Sequence, residues 1–220
     1  MAYKLSPDWT LLLRNGVQLD KGRDGNAGDA TRLRQQIGAA YRPVDNDRFN
    51  FLTRYEHRAE RLSGAASSYL AGSASGLDSQ FLANGLRQDT HILSAHANWQ
   101  PISKLTLSGR YAFKWTTEES NGLSSKNWAH LVYGRAMWDL ARRWDAGVQA
   151  FAMTGKGGAR QTGFGVEAGY MVTPDVWVSL GYNFSGFRET DLAGDAQTNR
   201  GVFLRLRMKF DESLFDGAGQ

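Results

Sequence analysis

Ser94, His96 and Asn98 are the residues best spaced to do chemistry in this 220-residue chain. In an extended segment, residues two apart share a face, so a hydroxyl, an imidazole and an amide would line up as nucleophile, base and orienting group. The same spacing also describes three polar side chains lining the inside of a sheet, and that plainer reading is adopted. His57 and His91, the other proton-transfer candidates, fall on the apolar register of their segments. The 4 His show no ligand spacing with a nearby carboxylate. Cys is absent, which removes disulfides, Cys-ligated zinc and thiol nucleophiles. The stretch Thr154-Gly-Lys-Gly-Gly-Ala-Arg-Gln161 is glycine-rich, but no helix-opening pattern follows it, so it reads as a surface loop and not a phosphate cradle. The expectation is no enzyme, no cofactor and no metal.

Lys and Arg total 26 against 22 Asp and Glu, a net charge of +4. With 7 Trp, 8 Tyr and 11 Phe the chain is too aromatic to stay disordered. Its longest apolar run, Ala150 to Met153, is far short of the roughly 20 residues a spanning helix needs. A mean hydropathy of −0.47 does not exclude a transmembrane barrel, whose strands are apolar only at alternate positions.

Such alternation is what must position the polar residues. At the end of the chain Val202, Leu204, Leu206, Met208 and Phe210 alternate with Phe203, Arg205, Arg207 and Lys209. A helix would scatter the three cations around its circumference; a strand puts them on one side. The pattern recurs in about ten segments. Examples are Trp9, Leu11, Leu13 and Val17 against Arg14 and Gln18, or Leu105, Leu107 and Tyr111 against Arg110 and Lys114. The sixth segment is the least regular; there Trp128, Val132, Ala136 and Trp138 are set against Arg135 and Asp139. Turns at 43–48, 101–104, 141–143 and 173–175 alternate with Gly-, Ser- and charge-rich loops at 21–30, 61–89, 117–126, 154–161 and 185–198. The fold class predicted is all-β: a transmembrane antiparallel up-and-down β-barrel of about ten strands over 1–210, its last strand pairing with its first. Residues 211–220 form a short periplasmic tail.

A soluble lipocalin-like barrel would bury the apolar face, and a membrane barrel turns it toward lipid. Two features favour the second. The strands run roughly 9 to 13 residues, the span of a tilted membrane strand. Large aromatics gather at strand ends as two girdles: Trp9, Tyr41, Phe49, Trp99, Trp138, Trp144 and Phe210 toward the short turns, Tyr55, Trp115, Trp128 and Phe184 toward the long loops. The polar face carries Arg32, Arg34, Arg54, Glu56, Arg58, Arg110, Lys114, Arg135, Asp139, Glu167, Arg205, Arg207 and Lys209. Facing lipid, a mid-membrane Arg or Lys would cost about 2–4 kcal/mol. Facing inward, these residues form a lumen charge network, with acids such as Glu56 or Glu167 reaching Arg205 and Arg207. Interior cations, with the aromatics on the other side, do not make a nucleic-acid surface.

The last strand, with Gly201, then Leu204, Leu206, Met208 and Phe210, resembles the C-terminal signal strand of Gram-negative outer-membrane barrels. Ala40-Tyr-Arg-Pro-Val-Asp-Asn-Asp-Arg48, Gly181-Tyr-Asn-Phe-Ser-Gly-Phe187 and 201–215 resemble the C-terminal barrels of large repeat-bearing surface proteins of these bacteria. That resemblance implies a multi-pass outer-membrane barrel acting as anchor or scaffold, with extracellular loops for surface interaction. It also implies contact with lipid bilayer and lipopolysaccharide, and insertion by the outer-membrane assembly machinery through the last strand. The loop 61–89 is the expected contact for an extracellular ligand, and a plug or short helix. On this reading a leader or larger preceding region has been removed before Met1. The alternatives are a small anion-favouring channel and an outer-membrane hydrolase of the omptin or lipase type.

Overall fold

The computed structural model describes residues 1–21, 29–63, 85–120, 122–173, 176–188, 191–194 and 196–208. They form one antiparallel sheet of 11 strands in which each strand pairs with its neighbours in sequence. The strands are β1 (Ala2–Lys4), β2 (Trp9–Asp20), β3 (Ala30–Tyr41), β4 (Phe49–Leu62), β5 (Leu86–Ile102), β6 (Leu105–Ser120), β7 (Leu123–Ala141), β8 (Trp144–Gly155), β9 (Arg160–Thr173), β10 (Val176–Ser185) and β11 (Gly201–Met208). β2 to β11 correspond to the expected strands. β1 is an addition that pairs with Thr10, Leu11 and Leu12 of β2. Among the described residues the sheet is open, with β1 and β11 at its edges. The expected pairing of the last strand with the first is not found there; β1 instead pairs with the start of β2.

Of the expected loops, 117–126 is mostly strand and 154–161 is half strand. Within 117–126 the ladder continues through Glu118↔Ser125, Glu119↔Ser124 and Ser120↔Leu123. The sequence Asn121-Gly122 is the strongest short hairpin signal, and Gly122 adopts the required positive φ of 74°. Within 154–161 only a turn of 3-10 helix, Lys156–Gly158, separates β8 from β9. β5, β6 and β7 reach 17, 16 and 19 residues, longer than expected. Of the expected contact loop 61–89, only its ends are described, and they continue β4 and β5; residues 64–84 lie outside the described residues. So do Lys209, Phe210 and the tail 211–220.

The two faces of the sheet have opposite chemistry. On the convex face Val17, Val132, Leu180, Val202 and Leu204 are more than half exposed. On the concave face Glu56 is 1%, Glu167 4% and Asn183 0% exposed. This is the reverse of a water-soluble barrel. β7 settles its own phase: Leu131, Tyr133 and Met137 are buried while Val132 and Trp138 are exposed, so Arg135 and Asp139 share the concave register.

The concave face is not uniformly polar. Ile92, Ala112, Leu131, Tyr133 and Phe151 form an apolar patch on it, and Phe187, Leu192 and Ala193 from the segment between β10 and β11 complete the cluster. The wall from β8 to β10 is lined by glycine where neighbouring side chains lie flat. A Cβ at Gly163 would sit 1.9 Å from the Phe151 ring, at Gly165 2.0 Å from Asn183 Oδ1, and at Gly169 2.1 Å from Asp145 Oδ1.

Candidate functional site

The concave face and the segment 186–200 together make the site. The loop 185–198 was expected to be external; instead the described residues of this segment enter the sheet's hollow. β4 and β6 hold its first half. Asp191 Oδ1 accepts from Arg58 Nη1 at 2.9 Å, and its Oδ2 accepts from Lys114 Nζ at 2.5 Å. Burial alone would raise the Asp191 pKa, but hydrogen bonds from Lys114 and Arg58 outweigh it and hold the carboxyl below its ordinary value. One residue on, the Leu192 carbonyl accepts from Arg110 Nε at 2.7 Å. The second half rests on β8 and β10: Asn183 Nδ2 donates to the carbonyls of Gln197 at 2.9 Å and Asn199 at 2.8 Å. Gln149 Nε2 reaches the Asn183 amide oxygen at 2.6 Å. Phe187 packs edge-on to Phe151, 5.4 Å between ring centres. Buried carbonyls finding side-chain donors is what allows an irregular chain inside a sheet.

The concave charges divide into groups. Glu56 accepts from Arg34 Nε at 2.7 Å, Arg58 Nε at 2.5 Å and Gln36 Nε2 at 2.7 Å. Arg32 bridges Asp20 at 3.0 Å and Glu60 at 2.7 Å. Glu167 accepts from Arg135 Nε and, at 3.0 Å, from Arg205 Nη1. Arg207 reaches Asp145 at 2.8 Å, and not Glu56 or Glu167. Asp139 lies opposite Asp145 across β7 and β8. Arg54 lies on the same register, beside Gln36 and Gly38. Asp191 is the member that sequence reasoning left out; Asp145, Gln149 and Asn183 fall on the polar face by spacing, without their partners being assigned. The unplaced apolar pair Phe187 and Leu192, in an otherwise polar loop, was the available signal for its docking.

The convex face carries the rings. At the lower rim Trp9 and Tyr41 lie 4.8 Å apart, Tyr41 and Phe49 6.3 Å, and Trp144 and Tyr170 4.9 Å. Trp99 and Trp138 are also exposed on this face. Higher up, His57 stacks on His91 at 4.6 Å and His91 on Trp115 at 4.7 Å, with Tyr55 hydrogen-bonded to His91 Nδ1 at 2.7 Å. Trp128 and Phe184 are exposed there too. These His sit among rings on the outside, apart from the concave carboxylates. Ser94 Oγ donates to the Arg54 carbonyl at 3.4 Å, while Asn98 engages Asn50 at 2.9 Å and Ser108 at 2.6 Å. The hydroxyl and amide of the Ser94–His96–Asn98 set therefore serve the wall. Among the described residues no group of His, Asp and Glu is arranged to hold a metal.

No protein-family model matches the chain, and no curated protein matches it. Among solved structures it is similar to the toluene transporter TodX of Pseudomonas putida. One such structure shares 10% identity, covers 96% of this chain and 72% of the other, and has a TM-score of 0.45. A second gives 12%, 96%, 71% and 0.42. Likeness at this level leaves the chain's activity to be read from its own residues.

Proposed function

We propose that this chain is a Gram-negative outer-membrane β-barrel that serves as an anchor or scaffold, its lumen filled by its own segment 186–200. The observation that carries this reading is the inverted sheet. Carboxylates and amides are buried on the concave face, and exposed Val, Leu and Trp cover the convex one. Lipid is the surrounding that makes such a convex face favourable. The rings near each rim suit the headgroup boundaries. Arg61, Arg87 and Lys126, exposed on the convex register near the top of β4, β5 and β7, suit the phosphates of lipopolysaccharide. The last strand is the proposed handle for the assembly machinery, and loops including 61–89 the proposed contact for an outside ligand.

A test is to refold the chain into lipid vesicles and record from planar bilayers. The expected result is membrane-protected β structure with little steady conductance, and steady currents once residues 187–199 are replaced by a short Gly-Ser linker. A protein that stays monodisperse without detergent would overturn the membrane reading. Large wild-type currents would favour the anion-channel alternative, for which the cavity of about 420 Å³ at the lower mouth, beside Arg142 and Arg143, is the supporting observation.

A further inference from the structure

β7 outlasts its neighbour β8. Its ladder with β8 starts at the pair Ala129↔Gly155, whereas its ladder with β6 runs on to Ser120↔Leu123. Among the described residues, 123–128 are therefore paired on one side only, and each of them is exposed. We propose that this free edge is a docking site for an extended acidic peptide segment of a partner protein, which adds a strand to β7 in line with β8.

The backbone supplies the first argument. The Lys126 carbonyl accepts from Lys156 Nζ, and a Cβ at Gly155 would lie 3.3 Å from the Trp128 carbonyl oxygen. Both contacts are on the β8 side, so the backbone groups of Lys126 and Trp128 point that way. By the alternation of an antiparallel ladder, so do those of Ser124. The N–H and C=O of Ser124 and the N–H of Lys126 thus face outward with no strand to bond among the described residues. A row of this kind is a template for strand addition. At about 3.3 Å per residue the edge is about 20 Å long, the length of an ordinary strand.

Charge selects the occupant. The edge, 123–128, and the hairpin beneath it, 153–162, carry Lys126, Lys156 and Arg160 and no Asp or Glu. None of the three is held in an ion pair. Glu118 and Glu119 belong to β6, on the other side of β7, where they pair with Ser125 and Ser124. A second copy of this chain set edge to edge would bring the lysines of both copies together, and like charges facing across a ladder oppose pairing. An acidic strand meets the same cations with the opposite sign.

The inference needs the free edge alone, so it can fail while the membrane reading stands. The experiment is fluorescence anisotropy on the detergent-folded full chain, with a labelled hexapeptide of alternating Glu and Val as the probe. Saturable binding is expected, and none with Lys in place of Glu. The same Glu–Val peptide N-methylated throughout keeps its charge, loses its backbone donors, and should bind at least about tenfold more weakly. Ser124→Pro removes one outward donor from the chain itself and should also weaken binding about tenfold. Its melting temperature should stay near that of wild type, because proline is tolerated where an edge N–H faces solvent. Lys126→Gln should weaken binding about threefold, a difference that fades in high salt. The proposal is overturned if the Glu–Val peptide does not bind, or if folded Ser124→Pro keeps full affinity. It is equally overturned if the N-methylated peptide binds wild type as tightly, since the surface then attracts any polyanion, lipopolysaccharide included.

Discussion

The two flanks of the hollow solve the same electrostatic problem with different success. On the β2 to β4 flank, Arg32 and Asp20 pair at 3.0 Å while their side chains are 44% and 49% exposed. On the β7 to β11 flank, the side chains of Glu167 and Arg135 are 0% and 13% exposed, and glycines at 163, 165 and 169 let the neighbouring side chains lie against the backbone. Glu56 falls between: it is buried itself, but its partners Arg34 and Arg58 are 46% and 34% exposed. An exposed pair works against water and is worth little; a buried carboxylate becomes indispensable to its partners, because removing it strands their charge. Counting ion pairs among the described residues would favour the wetter flank, four against three. Solvent access reverses that order.

That contrast can be broken by substitution. Glu167→Ala should have the largest effect, about 3–5 kcal/mol, or roughly 10 °C off the melting temperature of the detergent-folded protein. A loss under 1 °C would mean the flanks are equivalent after all. Gly163→Ala comes next, at about 1–3 kcal/mol, because its Cβ must displace Phe151 and with it Phe187. Thermal melts read the loss, and protease cutting within 186–200 should rise alongside it. Glu56→Ala should cost about 1–2 kcal/mol, since its partly wet partners can turn to solvent; a cost matching Glu167→Ala would erase the distinction. Arg32→Ala should stay within about 0.5 kcal/mol in the same melts, and less still in high salt.

The smallest effect is a pH response of the docked segment. The Asp191 carboxyl is held below its ordinary value in the folded chain. Its contribution is therefore complete above the unfolded value of about 4, and is lost as pH falls through the lower folded one. Pepsin cutting within 186–200 should increase only in that strongly acid range, and Asp191→Asn should remove most of the pH dependence. Cutting that begins near neutrality would show that the Arg58 and Lys114 contacts do not hold the segment.

Much of this was legible because a strand repeats every two residues. Arg205 and Arg207 share a face by spacing alone, and so do Leu204 and Leu206. Arg135 and Asp139 also came out on the concave register, despite the irregular pattern of their strand. Periodicity was silent on what fills the hollow. Phe187 and Leu192 lie in a segment with no repeat, and their burial depends on Phe151 and Leu131, which are distant in the chain. The partner of Arg207 was missed for the same reason: Asp145 is 62 residues away, and strand spacing ranks no acid above another. The hairpin at Asn121-Gly122 was legible and passed over, because the charge and serine around it imitate a loop.

The strand lengths give the hollow a direction. β7 has 19 residues and β10 has 10, so at about 3.3 Å per residue one side of the rim stands about 30 Å further along the strands than the other. Such a rim is slanted, and the mouth faces sideways. The segment 186–200 leaves from β10, on the low side, and runs against the tall side, where Lys114 and Arg110 of β6 catch it. The tall strands act as a backstop. A chain crossing a low sill into a high wall needs no fold of its own to stop in the right place.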